Sequence, residues 1–222
     1  MFPHCISDGG MEKMKRTLVL TLGMLTATAV AVEAQLAFFP VNALPSGSAA
    51  TFFGATYGRG LNDASGKLDA YGAFIGRSGI GNRATLAAGV GMIDAAESEW
   101  TFGGAVGVDV LPAGGSAQLS LQTGLGYFSP VTDVSTMHIP VGVALKGMVE
   151  GPTADVTPWV MPRLSILRTS VGDLSDTSTE FGVSGGVAVT LPSGFGFHTS
   201  VDVLAADDAQ WLLGVGVHYT MP

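Results

Sequence analysis

The chain is short of cysteine, of charge and of helix. Its one cysteine is Cys5 in 222 residues, so it forms no intramolecular disulfide and builds no Cys-based metal site. Charged residues are 13% of the total and mean hydropathy is +0.42, which excludes a disordered chain of the polar, charge-rich kind. Lysine and arginine number 10 against 18 aspartates and glutamates. The net charge of −8 and the scatter of the basic residues leave no electrostatic footprint for nucleic acid. After residue 34 no segment carries a convincing helix period. The glycine-rich words GAVGVD and GVSGGVAV open no helix whose N-terminus would cradle a phosphate.

A run long enough for a membrane helix is also missing. In MKRTLVLTLGMLTATAVAVEAQ, Lys15 and Arg16 precede an apolar stretch from Leu18 to Val32. That stretch falls short of the ~20 residues a spanning helix needs. Small residues Val32 and Ala34 flank Glu33, as in a secretory signal cleaved after Ala34. Such a signal begins at Met14, which makes residues 1–13 an extra or mis-assigned N-terminal segment and 14–34 the signal peptide. Removing residues 1–34 removes Cys5 and leaves seven basic against fifteen acidic residues.

What is present is glycine, 32 of it, and alternation. WTFGGAVGVDVL sets Phe102, Val106, Val108 and Val110 against Thr101, Gly103, Ala105, Gly107 and Asp109. QLSLQTGLGYF, EFGVSGGVAVTL, FGFHTSVDV and WLLGVGVHYTM repeat the pattern. Period two over this length is a strand with two unlike faces. Less regular segments complete about ten strands, at 49–58, 68–77, 84–93, 100–111, 117–128, 137–147, 156–168, 180–191, 195–204 and 210–221. Eight is the other count, with the second or seventh misread. Pro158 and Pro162 in the seventh predict a local break or bulge.

Two architectures suit such strands. A soluble sandwich or barrel binding a small apolar ligand needs a charged outer face. Here the second face is Gly, Ala, Ser and Thr, which suits a confined lumen, with the apolar face turned to lipid. Tyr57, Trp100, Tyr127, Trp211 and Tyr219 near strand ends match an interfacial girdle. The fold class expected is all-β, an antiparallel transmembrane barrel.

On signal, alternation and hairpin rhythm, residues 48–222 resemble the small outer-membrane β-barrel proteins, with 35–47 as a periplasmic lead-in. The resemblance implies residence in the cell outer membrane. It also implies contact with outer-membrane lipids and lipopolysaccharide, and insertion by the outer-membrane assembly machinery. The chain departs from the superfamily's aromatic terminus, ending HYTMP. A monomer without cofactor is expected.

An outward first strand puts Asp63, Asp94, Glu97, Glu99, Asp133, Asp173, Asp176, Asp207 and Asp208 in outer loops, with Glu180 at their edge. The three LP-x-G words, at 44–47, 111–114 and 191–194, precede odd-numbered strands and so belong to the inner rim. Asp109, His138, Lys146, Arg163, His198, Asp202 and His218 turn inward, Arg77 with less certainty of register. Charges there are braced in pairs or line a narrow passage. No catalytic, cofactor or metal residues are assigned. One alternative is enzymatic: FHTSVD is similar to the His-x-Ser pair of the outer-membrane lipid A deacylases, which implies His198 as base and Ser200 as nucleophile. The reading favoured is a non-enzymatic barrel with a structural, surface-interaction or narrow-pore role.

Overall fold

The computed structural model describes residues 49–62, 69–94, 98–111, 117–131, 134–205 and 209–221. Among these residues ten antiparallel strands close into a barrel, each pairing with its neighbours in sequence and the last returning to the first. They are β1 Thr51–Gly60, β2 Asp69–Ile80, β3 Ala84–Asp94, β4 Ser98–Asp109, β5 Ala117–Val131, β6 Val134–Gly147, β7 Asp155–Val171, β8 Leu174–Thr190, β9 Phe195–Ala205 and β10 Gln210–Met221. The seam runs from Thr51↔Met221 to Gly60↔Leu212 without a shift. Both ends of the barrel chain thus lie on one rim, termed inner here.

The outward face is the apolar one. Leu121, Phe102, Val141, Leu164, Phe197 and Val215 are exposed on it, and Val106 and Val187 share their register. A band of large hydrophobics running around a closed barrel is lipid-facing surface, because a water-facing sheet needs polar residues there. The soluble alternative is thereby overturned. Aromatic pairs mark both edges of the band. Tyr57–Tyr71 and Phe102–Tyr127 stand toward the outer rim, with centroids 5.2 and 5.1 Å apart. Phe53–Tyr219 and Phe195–Phe197 stand toward the inner rim, at 5.7 and 5.0 Å. The adjacent phenylalanines of β1 divide, Phe52 buried inward and Phe53 outward.

Three expectations need correction. Arg77 points outward, sharing the exposed face of Ile75. Residues 129–136 and 169–179, read as long outer loops, are largely strand: β5 and β6 reach Val131 and Val134, and β7 and β8 run to a two-residue turn at Gly172–Asp173. In residues 174–179 the Ser/Thr/Asp content reflects strand with no buried side chain. Pro158 and Pro162 break nothing on the β8 side, where they pair with Val187 and Val183 in continuous register. On the β6 side the pairing steps from Gly142↔Arg163 to Leu145↔Val160 with the register unchanged, the gap a proline without an N–H leaves.

Of the three LP-x-G words, the one at Leu191–Gly194 is described in full. Leu191 N donates to Phe195 O and Gly194 N to Leu191 O, both at 2.8 Å. Gly194 has φ of +86°, a left-handed conformation that glycine adopts without strain. It joins β8 to β9 on the inner rim, as expected. Residues 44–47 and 112–114 lie outside the described residues.

Candidate functional site

Inward positions repeat one packing arrangement: several large side chains lie against a glycine across a ladder. Phe74 lies between Gly54 and Gly89, and Phe52 beside Gly76. A Cβ on Gly54 would run into the Phe74 ring, and one on Gly76 into Phe52. Gly196 likewise accommodates the His218 ring and Gly216 the His198 ring. Met161 sits between Ala144 and Ser184 in register and joins Trp159, Ala144 and Ala188 in a buried cluster. The abundant glycine is therefore the floor on which inward side chains lie, and it lets a ten-stranded wall be filled.

All seven ionisable residues expected to face inward do so, each no more than 4% exposed. Arg163 and Asp202 form the central pair. Arg163 Nη2 donates to Asp202 Oδ1 at 2.6 Å and Nε to Ser165 Oγ at 3.3 Å. Its Nη1 donates to Ser184 Oγ, which donates in turn to Asp202 Oδ2 at 2.7 Å. Three strands, β7, β8 and β9, are tied by this one network. Asp109 and Lys146, on the strands flanking β5, bring opposite charges into the inner half. The imidazoles of His198 and His218 stack across β9 and β10 at 27° with Nδ1 atoms 3.4 Å apart, and His218 Nε2 meets Thr190 Oγ1 at 3.1 Å.

The His198/Ser200 alternative can be examined on this geometry. Ser200 Oγ is buried without a hydrogen-bond partner among the described residues, so no bond links it to His198. The carboxylate of Asp202 is held by Arg163 and Ser184. Nucleophilic activation needs the hydroxyl on the base and the base on an acid; the first contact is not formed, and the loop acids that could orient the ring, Asp207 and Asp208, lie outside the described residues. Both side chains also face the filled interior and not the lipid. Among the described residues no group of three His, Cys, Asp or Glu is placed to hold a metal.

The outer rim is a different environment. Tyr57 OH donates to Asp69 Oδ1 at 2.5 Å, and Arg59 Nε lies 3.9 Å from the same carboxylate. Asp94 accepts from Ser98 Oγ at 3.1 Å. Asp173, Asp176 and Glu180 belong to the β7–β8 hairpin. Asp63, Glu97, Asp133, Asp207 and Asp208 lie outside the described residues. The extended β8 and the partners Ser165 and Ser184 were not singled out from sequence. A signal for the first existed in VGDL, a Gly-Asp pair between apolar residues, which is the mark of a two-residue hairpin.

Closed topology, lipid-facing band and filled lumen define a transmembrane β-barrel of the outer-membrane type. Among solved structures, the translocator domain of the autotransporter NalP from Neisseria meningitidis is similar over 89% of this chain and 99% of its own, with 16% identity and a TM-score of 0.53. The β domain of the Bordetella autotransporter BrkA covers 78% of this chain and 99% of its own at 12% identity and a TM-score of 0.46. The N-terminal β-barrel domain of Pseudomonas aeruginosa OprF covers 78% and 100% at 12% identity and a TM-score of 0.39. At these identities the likeness is one of fold. No protein-family model and no curated protein matches the sequence.

Proposed function

We propose that the protein is a non-enzymatic outer-membrane scaffold, whose filled barrel anchors an acidic outer hairpin for interaction at the cell surface. The carrying observation is the interior. Inward side chains from Phe52, Phe74 and Phe128 to Trp159, Arg163 and His218 are all buried, and rings laid over facing glycines, as Phe52, Phe74 and His218 are, occupy the room that a water-filled passage would need. Lipid and lipopolysaccharide surround the apolar band, and the assembly machinery inserts the barrel.

Planar-bilayer recording tests this against the pore reading. Purified, folded protein is expected to give no stepwise current, and regular steps would overturn the scaffold role. The hydrolase alternative predicts altered lipid A acylation on expression that Ser200→Ala abolishes. The scaffold reading expects unchanged acylation with both proteins.

A further inference from the structure

The barrel wall is uneven. β7 and β8 each run 17 residues, whereas β9 and β10 run 11 and 12. β8 pairs with β7 along its whole length, out to Val171↔Leu174. Its pairing with β9 stops at Phe181↔Ala205. Residues 174–180 of β8 thus form a sheet edge with no strand beside it among the described residues. Phe181 is outward and exposed at the lipid band. The seven residues above it, LSDTSTE, are polar beyond Leu174 on both faces of the strand, so the open edge stands in water.

The direction of its backbone groups follows from the register. Leu191, one residue past the end of β8, donates its N–H to Phe195 across the β9 side. The ladders with β7 and β9 show no shift in register, so odd-numbered residues of β8 turn N–H and C=O toward β9 and even-numbered ones toward β7. The turn agrees. Gly172 has φ of +56° and Asp173 has negative φ, a two-residue type II′ hairpin whose closing pair, Val171 and Leu174, is hydrogen-bonded. Above Phe181 the N–H and C=O groups of Ser175, Thr177 and Thr179 therefore point to the open side. All three residues are exposed.

We infer that this edge receives an extended cationic segment of a partner protein by strand addition. An open edge supplies main-chain hydrogen bonds to an added strand, and side chains on alternate positions select it. Asp176 and Glu180 lie on one face of β8 four residues apart, Asp173 lies in the turn, and residues 174–190 contain no lysine or arginine. The hairpin's cation, Arg168 of β7, stands on the opposite face, where Nη2 donates to Ser175 Oγ at 3.5 Å. A segment with Lys or Arg at every second position sets its charges against those carboxylates. A second copy of this chain would bring its own Asp176 and Glu180 to the same place, where like charges oppose pairing. The inference rests on the scaffold reading, yet the two fail separately: current through the barrel would sink the scaffold, and the binding data below decide the edge.

The test uses a labelled eight-residue peptide alternating lysine and valine, its glutamate–valine counterpart, and folded protein in uncharged detergent, followed by fluorescence anisotropy. Wild type is expected to bind the lysine peptide and not the glutamate one, and to weaken with salt. Thr177→Pro and Thr179→Pro each remove an N–H that faces the open side while sparing the β7 ladder. Each is expected to weaken binding about tenfold. Asp176→Asn with Glu180→Gln should weaken it without altering the backbone edge. Retention of the heat-modifiable gel shift checks that each variant is folded. Equal binding by the proline variants, equal binding of the glutamate peptide, no binding by wild type, or dimerisation through β8 would each overturn the inference.

Discussion

The short side of the barrel and the tall side obey different rules. From β9 through β10 to β4 the strands are 10 to 12 residues long, about what a tilted strand needs to cross a bilayer. Their sequence is divided between lipid-facing aliphatics and an inward face where small residues accommodate a few large ones such as Phe52, Phe74 and His218. From β5 to β8 the strands are 14 to 17 residues, and the surplus carries neither pattern. In β8 it is Ser, Thr, Asp and Glu on both faces beyond Leu174, while β7 beside it keeps Leu167 and Thr169 turned inward and buried. Membrane strand is constrained on two sides, by lipid and by a filled interior. The β8 arm of the surplus, residues 174–180, has no buried residue and is constrained on neither, which leaves it free for recognition.

Five substitutions and one excision sharpen or break that contrast. Asp202→Ala has the largest expected effect, because it strands Arg163 in a buried site; about 3–5 kcal/mol of stability should be lost in urea titration monitored by gel shift. Asp176→Ala, in the surplus, should stay within about 0.5 kcal/mol of wild type, and parity of the two would erase the distinction. Val215→Lys, on the lipid band, should cost about 2–4 kcal/mol near the midplane, whereas Thr177→Lys on the hairpin should cost almost nothing. Gly76→Val sets a side chain against the Phe52 ring and Leu86 O; about 1–3 kcal/mol is expected. Excising residues 169–176 and closing a new two-residue turn removes the buried Thr136–Thr169 hydrogen bond of 3.2 Å and should cost about 1 kcal/mol, while abolishing binding of the lysine peptide.

Strand count, face assignment and inner-rim parity were legible because lipid and lumen impose period two, and period two survives in one dimension. The inward set of Asp109, His138, Lys146, Arg163, His198, Asp202 and His218 was legible for the same reason. Partnership was not. Arg163 meets Asp202 across β8, 39 residues away in sequence, and only ladder register brings them together. Arg77 was ambiguous because LDAYGAFIG mixes large and small residues on both faces and can be read in either register; the structure puts Tyr71, Ala73, Ile75 and Arg77 on the exposed face. The β8 arm of the hairpin was read as loop because none of residues 174–180 is buried, and polar residues with water on both faces carry no period to detect.

The filled interior is the claim on which the rest stands, and accessibility of single cysteines measures it most directly. In a Cys5→Ala background, Ser200→Cys faces the lumen, Val215→Cys faces lipid and Thr177→Cys stands on the outer hairpin. A membrane-impermeant maleimide applied to folded protein in vesicles that display the outer rim is expected to label the Thr177 variant within minutes and to leave the other two unmodified until unfolding. Labelling of the Ser200 variant at the rate of the Thr177 variant would mean an open aqueous lumen and would contradict the account.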